Sequence, residues 1–303
     1  GLSHYPGPLV PVDKWPRALT RNVHLGRIPR EVFEDKTKWP KEMRDEWGND
    51  EGLSAAKAHS ERLMAGFKRL RGEIDAFDPD FILIYGDDQF ENFRRQCVPA
   101  FCVYIFDEVN CHPYGGASRP YETPENAWGV PADTLLKIKG HREGARALTQ
   151  SLIEQGIDAA YAYETSSPVG LAHSFNNTVV FLDHDRRGFP WPIVPFHVNC
   201  YGAELQTTAA NVFGQSMKEL SPPAPTPKRC FEVGRATARF LAESPWRVCV
   251  IASSSWSHSH LTPKHDRLYP DLPADRARFA ELQDGSFRKW DEMTPEEIGD
   301  AVQ

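Results

Sequence analysis

Phe81-Ile82-Leu83-Ile84-Tyr85-Gly86-Asp87-Asp88-Gln89 is the stretch on which the fold turns. Its first five residues form a continuous apolar run of strand length, the pattern of a central strand covered on both faces. The run then turns polar at Gly86-Asp87-Asp88-Gln89, which predicts a loop at its C-terminal end. Upstream, Pro79-Asp80 stops a long amphipathic helix over residues 52–76, whose inner face is spaced as Ala55, Ala56, His59, Leu63, Phe67, Leu70 and Ile74. Before that helix lies a charged stretch carrying Trp39 and Trp47, which reads as an insertion over about residues 21–50.

Downstream, a second strand is expected over 98–106 and a loop-rich region over 108–133, with Gly115, Gly116 and several prolines. Loops of that length in a compact domain are more often functional than idle. A helix is predicted over 141–156 from Ala145, Leu148, Leu152 and Ile153, then a strand over 159–163 and a helix or turn near His173. Val179-Val180-Phe181-Leu182 and residues 193–198 give further strand signals. The proline-rich Ser221-Pro222-Pro223-Ala224-Pro225-Thr226-Pro227 connects to a helix over 229–242 and a strand over 247–252. Strands alternating with helices predict an α/β fold, a single domain over residues 1–303 with a mostly parallel central sheet flanked by helices. Ligands of such sheets collect at the C-terminal strand ends. Asp87-Asp88-Gln89, Ser257-His258 and, if the chain opens on a strand, His4 would meet there.

With 303 residues, 40% of them hydrophobic, there is enough chain for a large buried core. A net charge of -7 offers no basic face to grip phosphates, so nucleic acid is not an expected partner. Apolar runs such as Val248-Cys249-Val250-Ile251-Ala252 are too short to cross a bilayer, and no signal segment opens the chain, so a soluble, cytoplasmic protein with no membrane partner is expected. The six cysteines form no CxxC pair and are expected as reduced, buried thiols. The chain starts without methionine and stops near a helix opened by Thr294-Pro295-Glu296-Glu297, so both ends are expected to be cut or incomplete.

Four histidines stand out by their company: Ser3-His4-Tyr5-Pro6-Gly7, Lys139-Gly140-His141, Leu171-Ala172-His173-Ser174 and Trp256-Ser257-His258-Ser259-His260. At these positions, and at Pro195-Phe196-His197-Val198-Asn199 and Lys228-Arg229-Cys230-Phe231-Glu232-Val233-Gly234, the chain resembles the LigB-type (class III) extradiol ring-cleavage dioxygenases, the family typified by the protocatechuate 4,5-dioxygenase β subunit. The resemblance covers nearly all of the chain except about residues 21–50. It implies a non-haem Fe(II) cofactor held by two histidines and a glutamate, with open positions for a catechol and O2. It also implies an acid/base histidine beside the metal. Carried onto this sequence, His4 would be the first metal ligand, His258 the acid/base, and His141 a residue that helps bind substrate or oxygen. His173 matches a further histidine near the pocket, and a homodimer or a small α subunit would be the protein partner.

The pattern departs from the family at one ligand. Gln89 stands where the second metal histidine is expected and Asp88 where its preceding aspartate is, so the metal residue is either Gln89 or, with a one-residue shift, Asp88. An amide oxygen is a poorer Fe(II) donor than imidazole. The family's glutamate would fall just past Gln303, whereas Glu296 and Glu297 read as first-turn helix residues. Three readings therefore stay open: an Fe(II)-dependent extradiol dioxygenase for a vicinal dihydroxy or aminohydroxy aromatic, a metal-free silent paralogue serving as partner subunit or binding module, and other metal chemistry such as hydrolysis. Cys111-His112-Pro113-Tyr114-Gly115-Gly116 and residues 119–128 either line the substrate entrance or pack as a surface loop, and His260 and His265 are expected in solvent.

Overall fold

The computed structural model describes residues 1–3, 5, 7–94, 96–114, 126–200, 224–257, 265–294 and 297. They fall into two compact units, one of residues 1–5, 67–118 and 133–254 and the other of residues 6–66, 119–132 and 255–303.

The first unit is built on a five-stranded sheet. Its strands are β1 (Phe81–Gly86), β2 (Phe101–Tyr104), β5 (Ala160–Ala162), β6 (Ile193–Val198) and β7 (Val248–Ala252). The order across the sheet is β5-β2-β6-β1-β7. β1 pairs parallel with both β6 and β7, and β2 pairs parallel with β5. The one antiparallel junction is β2 with β6, in the register Cys102↔His197. The expected α/β class with a mostly parallel sheet is the observed one. Leu2 continues the sheet beyond β7 through a parallel bridge to Ser253, its N–H donating to Ala252 O at 2.9 Å.

One sheet face carries Phe81, Leu83, Val103, Val194 and Phe196 and packs on α5 (Arg142–Glu154) and α7 (Pro227–Glu243) through Leu148, Leu152, Val233 and Ala236. Removing this much aliphatic and aromatic surface from water, at roughly 25 cal/mol per Å², is the main term holding the unit together. Against the other face lies α6 (His173–Leu182), in which every residue from Ser174 to Leu182 is buried. Val179-Val180-Phe181-Leu182 is thus the end of this helix and not a strand. A helix buried all round loses its 3.6-residue polar stripe, and its last turn then reads as an apolar run.

At its C-terminal end α6 is fastened by Arg71 of α4 (Leu53–Phe77). The buried guanidinium donates to Leu182 O and Gly188 O at 3.0 Å each and stacks over Trp191 at 4.8 Å. A cation on a helix's last carbonyls is favoured by the macrodipole.

Part of the region expected as loop is ordered as a hairpin-like pair. β3 (Glu108–Cys111) runs antiparallel to β4 (Leu136–Lys139). The cysteines are all unpaired, yet only Cys102 and Cys111 are buried, while Cys97 and Cys200 are exposed.

In the second unit α1 (Arg17–His24), α2 (Arg30–Glu34) and α3 (Lys41–Trp47) gather around Ile28 and Trp39 with Leu268, so the stretch read as an insertion has a small core of its own. α8 (Leu272–Asp284) starts at an Asp271 cap. No helix among the described residues is long and apolar enough to cross a membrane.

Candidate active site at the C-terminal end of strand β1

The polar end of β1 folds into a tight turn because Asp88 organises it. Its carboxylate accepts the backbone N–H groups of Glu91 at 2.8 Å, Asn92 at 3.0 Å and Phe93 at 3.3 Å. Burial, followed by the charge of Glu91, pushes the Asp88 carboxyl up to about 6. Within the turn Phe90 sits at φ 59, a left-handed conformation that costs a non-glycine residue about 1 kcal/mol and persists only where neighbours over-determine it. Here the neighbours do so. Asn92 Oδ1 accepts from the backbone of Ser166 and Ser167 at 3.0 Å each, and its amide donates to Gly170 O at 3.2 Å.

The loop so anchored leads straight into α6, whose N-terminus lies on the end of β1. Ser174 Oγ donates to Asp87 O at 2.5 Å. A Cβ on Gly86 would lie 2.7 Å from that Oγ and 3.0 Å from the Phe175 ring, so helix and strand approach this closely only with glycine there. His173, the first residue of α6, meets Glu91. Glu91 Oε2 accepts both the His173 backbone N–H at 3.0 Å and the Nδ1–H at 2.7 Å. Burial alone would lower the His173 pKa, but the Glu91 charge and hydrogen bond, with Asp87 and Asp88 behind them, outweigh it and raise it to about 9.

A second wall lies across β6 and β2 on the same sheet face as Gly86. His197 is 2% exposed, donates through Nε2 to Pro99 O at 3.3 Å, and is held neutral by burial, its pKa lowered to about 4. The His197 Nδ1 and the hydroxyl of Tyr104, itself 1% exposed, find no hydrogen-bond partner among the described residues. Phe93 covers both, at ring distances of 4.8 Å from His197 and 5.8 Å from Tyr104.

Of the residues singled out in the sequence, the turn and α6 bring Asp88, Gln89 and His173 to one strand end. Asp88 is committed to backbone N–H groups, and Gln89 is partly buried between it and Phe90. His141 is elsewhere. It caps α5, its Nδ1 accepting the Gly144 N–H at 3.0 Å, and it stacks on Phe81 at 4.6 Å and against Trp246 at 5.4 Å. Phe81 begins β1 and Gly86 ends it, a separation of roughly 16 Å at about 3.3 Å per residue, so His141 lies at the opposite end of the strand from His173.

His4, His258, His260 and Glu296 lie outside the described residues. Beside His258, Ser257 donates its N–H and hydroxyl to Asp275 at 3.0 and 2.9 Å. His265 is partly buried and stacks on Tyr269 at 4.2 Å, where solvent was expected. Glu297 forms a reciprocal capping box with Thr294, as first-turn residues do. Tyr114 is buried against Arg186, which donates to its hydroxyl at 2.7 Å, and residues 115–125 are outside the described set. Sequence reasoning passed over Glu91, Asn92 and Tyr104. Only Glu91 left a signal, as an acidic residue inside a loop already suspected.

Among the described residues no three His, Cys, Asp or Glu side chains converge to hold a metal ion. Asp87, Asp88 and Glu91 do put three carboxylates within five residues, but Asp88 is taken up by backbone N–H groups and Glu91 by His173.

The family model for the catalytic LigB subunit of aromatic ring-opening dioxygenase matches residues 51–302, and the chain belongs to this family. Curated relatives include 2,3-dihydroxyphenylpropionate/2,3-dihydroxicinnamic acid 1,2-dioxygenases. The Photorhabdus laumondii protein is 24% identical over 72% of this chain and 56% of its own length. One from Pseudomonas putida is 25% identical over 75% of this chain and 55% of its own. One from Burkholderia vietnamiensis is 24% identical over 69% and 52%. The chain thus spans about half the length of the curated relatives it matches.

Proposed function

We propose that this chain, residues 1–303 acting as one catalytic domain, is an Fe(II)-dependent extradiol dioxygenase that opens the ring of a catechol-type aromatic with O2. The observation that carries this reading is the meeting of the Asp87–Asn92 turn and His173 at the C-terminal end of β1, inside the stretch matched by the LigB family. The relatives' own substrates by name, 2,3-dihydroxyphenylpropionate and 2,3-dihydroxicinnamic acid, make a vicinal dihydroxy aromatic bearing a short acid side chain the first substrate to try.

His4 and Gln89 are the proposed metal residues. Asp88 is set aside as a ligand because its oxygens build the turn. When bound, Fe(II) would draw the two catechol oxygens and O2 together and favour loss of the catechol protons. The protein's part is to move those protons and to exclude water. With Nδ1–H directed to Glu91, the His173 Nε2 is the nitrogen that exchanges a proton with a substrate hydroxyl. Phe93, over His197 and Tyr104, supplies an apolar wall on which an aromatic ring can stack.

The test is anaerobic Fe(II) loading followed by exposure to 2,3-dihydroxyphenylpropionate and O2, with the Gln89→His variant run in parallel. Wild type is expected to bind one iron and yield ring-opened product, and the variant to bind iron more tightly. A wild type without stoichiometric metal beside a variant that gains it would sink the proposal. That result would favour a silent paralogue acting as partner or binding module, the reading that the glutamine itself supports.

A further inference from the structure

We propose that Glu91 is a positioning residue that fixes the ring of His173 and directs its Nε2 to the reacting substrate, an inference that rests on the dioxygenase reading above. The geometry is specific. One oxygen, Oε2, accepts both the backbone N–H of His173 at 3.0 Å and the ring Nδ1–H at 2.7 Å. A contact to the backbone alone would be an ordinary anchor for a helix N-terminus, and a contact to the ring alone would leave the residue's backbone to drift. Bridging both ties ring to main chain. It selects the tautomer in which Nδ1 carries the proton, as carboxylate partners of functional histidines do.

Glu91 is itself held from both sides. Its own N–H donates to Asp88 Oδ1 at 2.8 Å, and its neighbour Asn92 is bonded to Ser166, Ser167 and Gly170, the loop that leads into α6. On the far side Ser174 is fixed to Asp87 O. Turn and helix therefore approach as two rigid pieces, and the Glu91 side chain spans the gap between them. His173 has a side-chain exposure of 15% and Glu91 of 16%, so the contact is shielded from water without being sealed from a ligand.

Because both hydrogen bonds go to the same oxygen, an amide can replace the carboxylate. The backbone N–H demands an acceptor, so a glutamine at position 91 must turn its oxygen, not its NH2, toward His173. Positioning and charge are thereby separable. In the full chain, Glu91→Ala is expected to lower kcat on the order of 10–100-fold while KM moves less than about threefold. Glu91→Gln is expected to keep kcat within about threefold of wild type.

Nitrogen-15 NMR of the metal-free protein above pH 9, where the His173 ring is neutral, with His173 assigned by a His173→Asn variant, should show a proton on Nδ1 in wild type and Glu91→Gln, and its loss or rapid exchange in Glu91→Ala. Three results overturn the proposal: a bare Nδ1 in wild type; a Glu91→Ala protein that melts lower but turns over at the wild-type rate, which leaves only a helix anchor; or a Glu91→Gln protein as impaired as Glu91→Ala, which makes charge the operative property. If Glu91→Ala does not fold, the NMR of wild type and Glu91→Gln decides. If wild type opens no catechol ring, the dioxygenase reading fails, and the state of Nδ1 still decides whether Glu91 positions His173.

Discussion

His141 and His173 stand at opposite ends of one strand, each at the start of a helix, and their surroundings make them different chemical objects. At the N-terminal end of β1, His141 accepts a backbone N–H through Nδ1 and is clasped by the rings of Phe81 and Trp246. At the C-terminal end, His173 donates through Nδ1 to a carboxylate, with two more carboxylates close by. The same residue type at the start of a helix is a structural cap in one place and a candidate proton carrier in the other. What separates them is which end of the strand the preceding loop reaches, and whether an acidic turn waits there.

The sharpest way to break this comparison is to remove each imidazole in turn. His173→Asn should cut kcat for catechol cleavage on the order of 100- to 1,000-fold, and His141→Asn should leave it within about twofold. Equal losses in steady-state assays would erase the distinction.

Next in size is a pH effect at the C-terminal end of β1. The Asp88 carboxyl, raised from 3.8 to about 6, binds its proton more tightly in the folded chain than in the unfolded one. Its contribution to stability is therefore present below pH 3.8 and lost as the pH climbs through about 6, at about 1.4 kcal/mol for each pH step between the two values. His173, raised from 6.5 to about 9, adds stability that is complete below 6.5 and fades as the pH passes about 9. Urea unfolding across this range should show wild type losing stability in both windows. Asp88→Asn should flatten the lower window, and an unchanged slope there would contradict the assignment.

The smallest expected effect lies at the other end. His141→Ala should cost about 1–2 kcal/mol through the lost cap and the lost ring stack. Thermal and urea denaturation would measure it.

The elements that the sequence made legible are those with a single, uninterrupted signal. The apolar run of β1, the stripe of α4 and the capped start of α7 each lie within a few residues of where they were expected. The buried last turn of α6 escaped because its apolar residues carry no period, and β3 with β4 because two short strands 24 residues apart announce no pairing. Within the site, Asp88 and Gln89 were legible as a polar strand end. Their division of labour was not, since only coordinates show that Asp88 turns inward to three amides. Gly140-His141 before a helix looks the same in one dimension at either end of a sheet, which is why His141 was drawn into the site. Glu91 was invisible as a partner of His173 because the two are 82 positions apart.

Gly86 gives the arrangement a direction in which it can vary. Where strand and helix touch without a side chain between them, the tolerance is one-sided. Residues on α6 can lose atoms at that junction and leave a small void, but position 86 cannot gain one without acting as a wedge that tips the first turn of the helix, and His173 with it, off the end of the strand. The placement of His173 is thus guarded by a missing methyl group, five positions before the Glu91 that holds its ring.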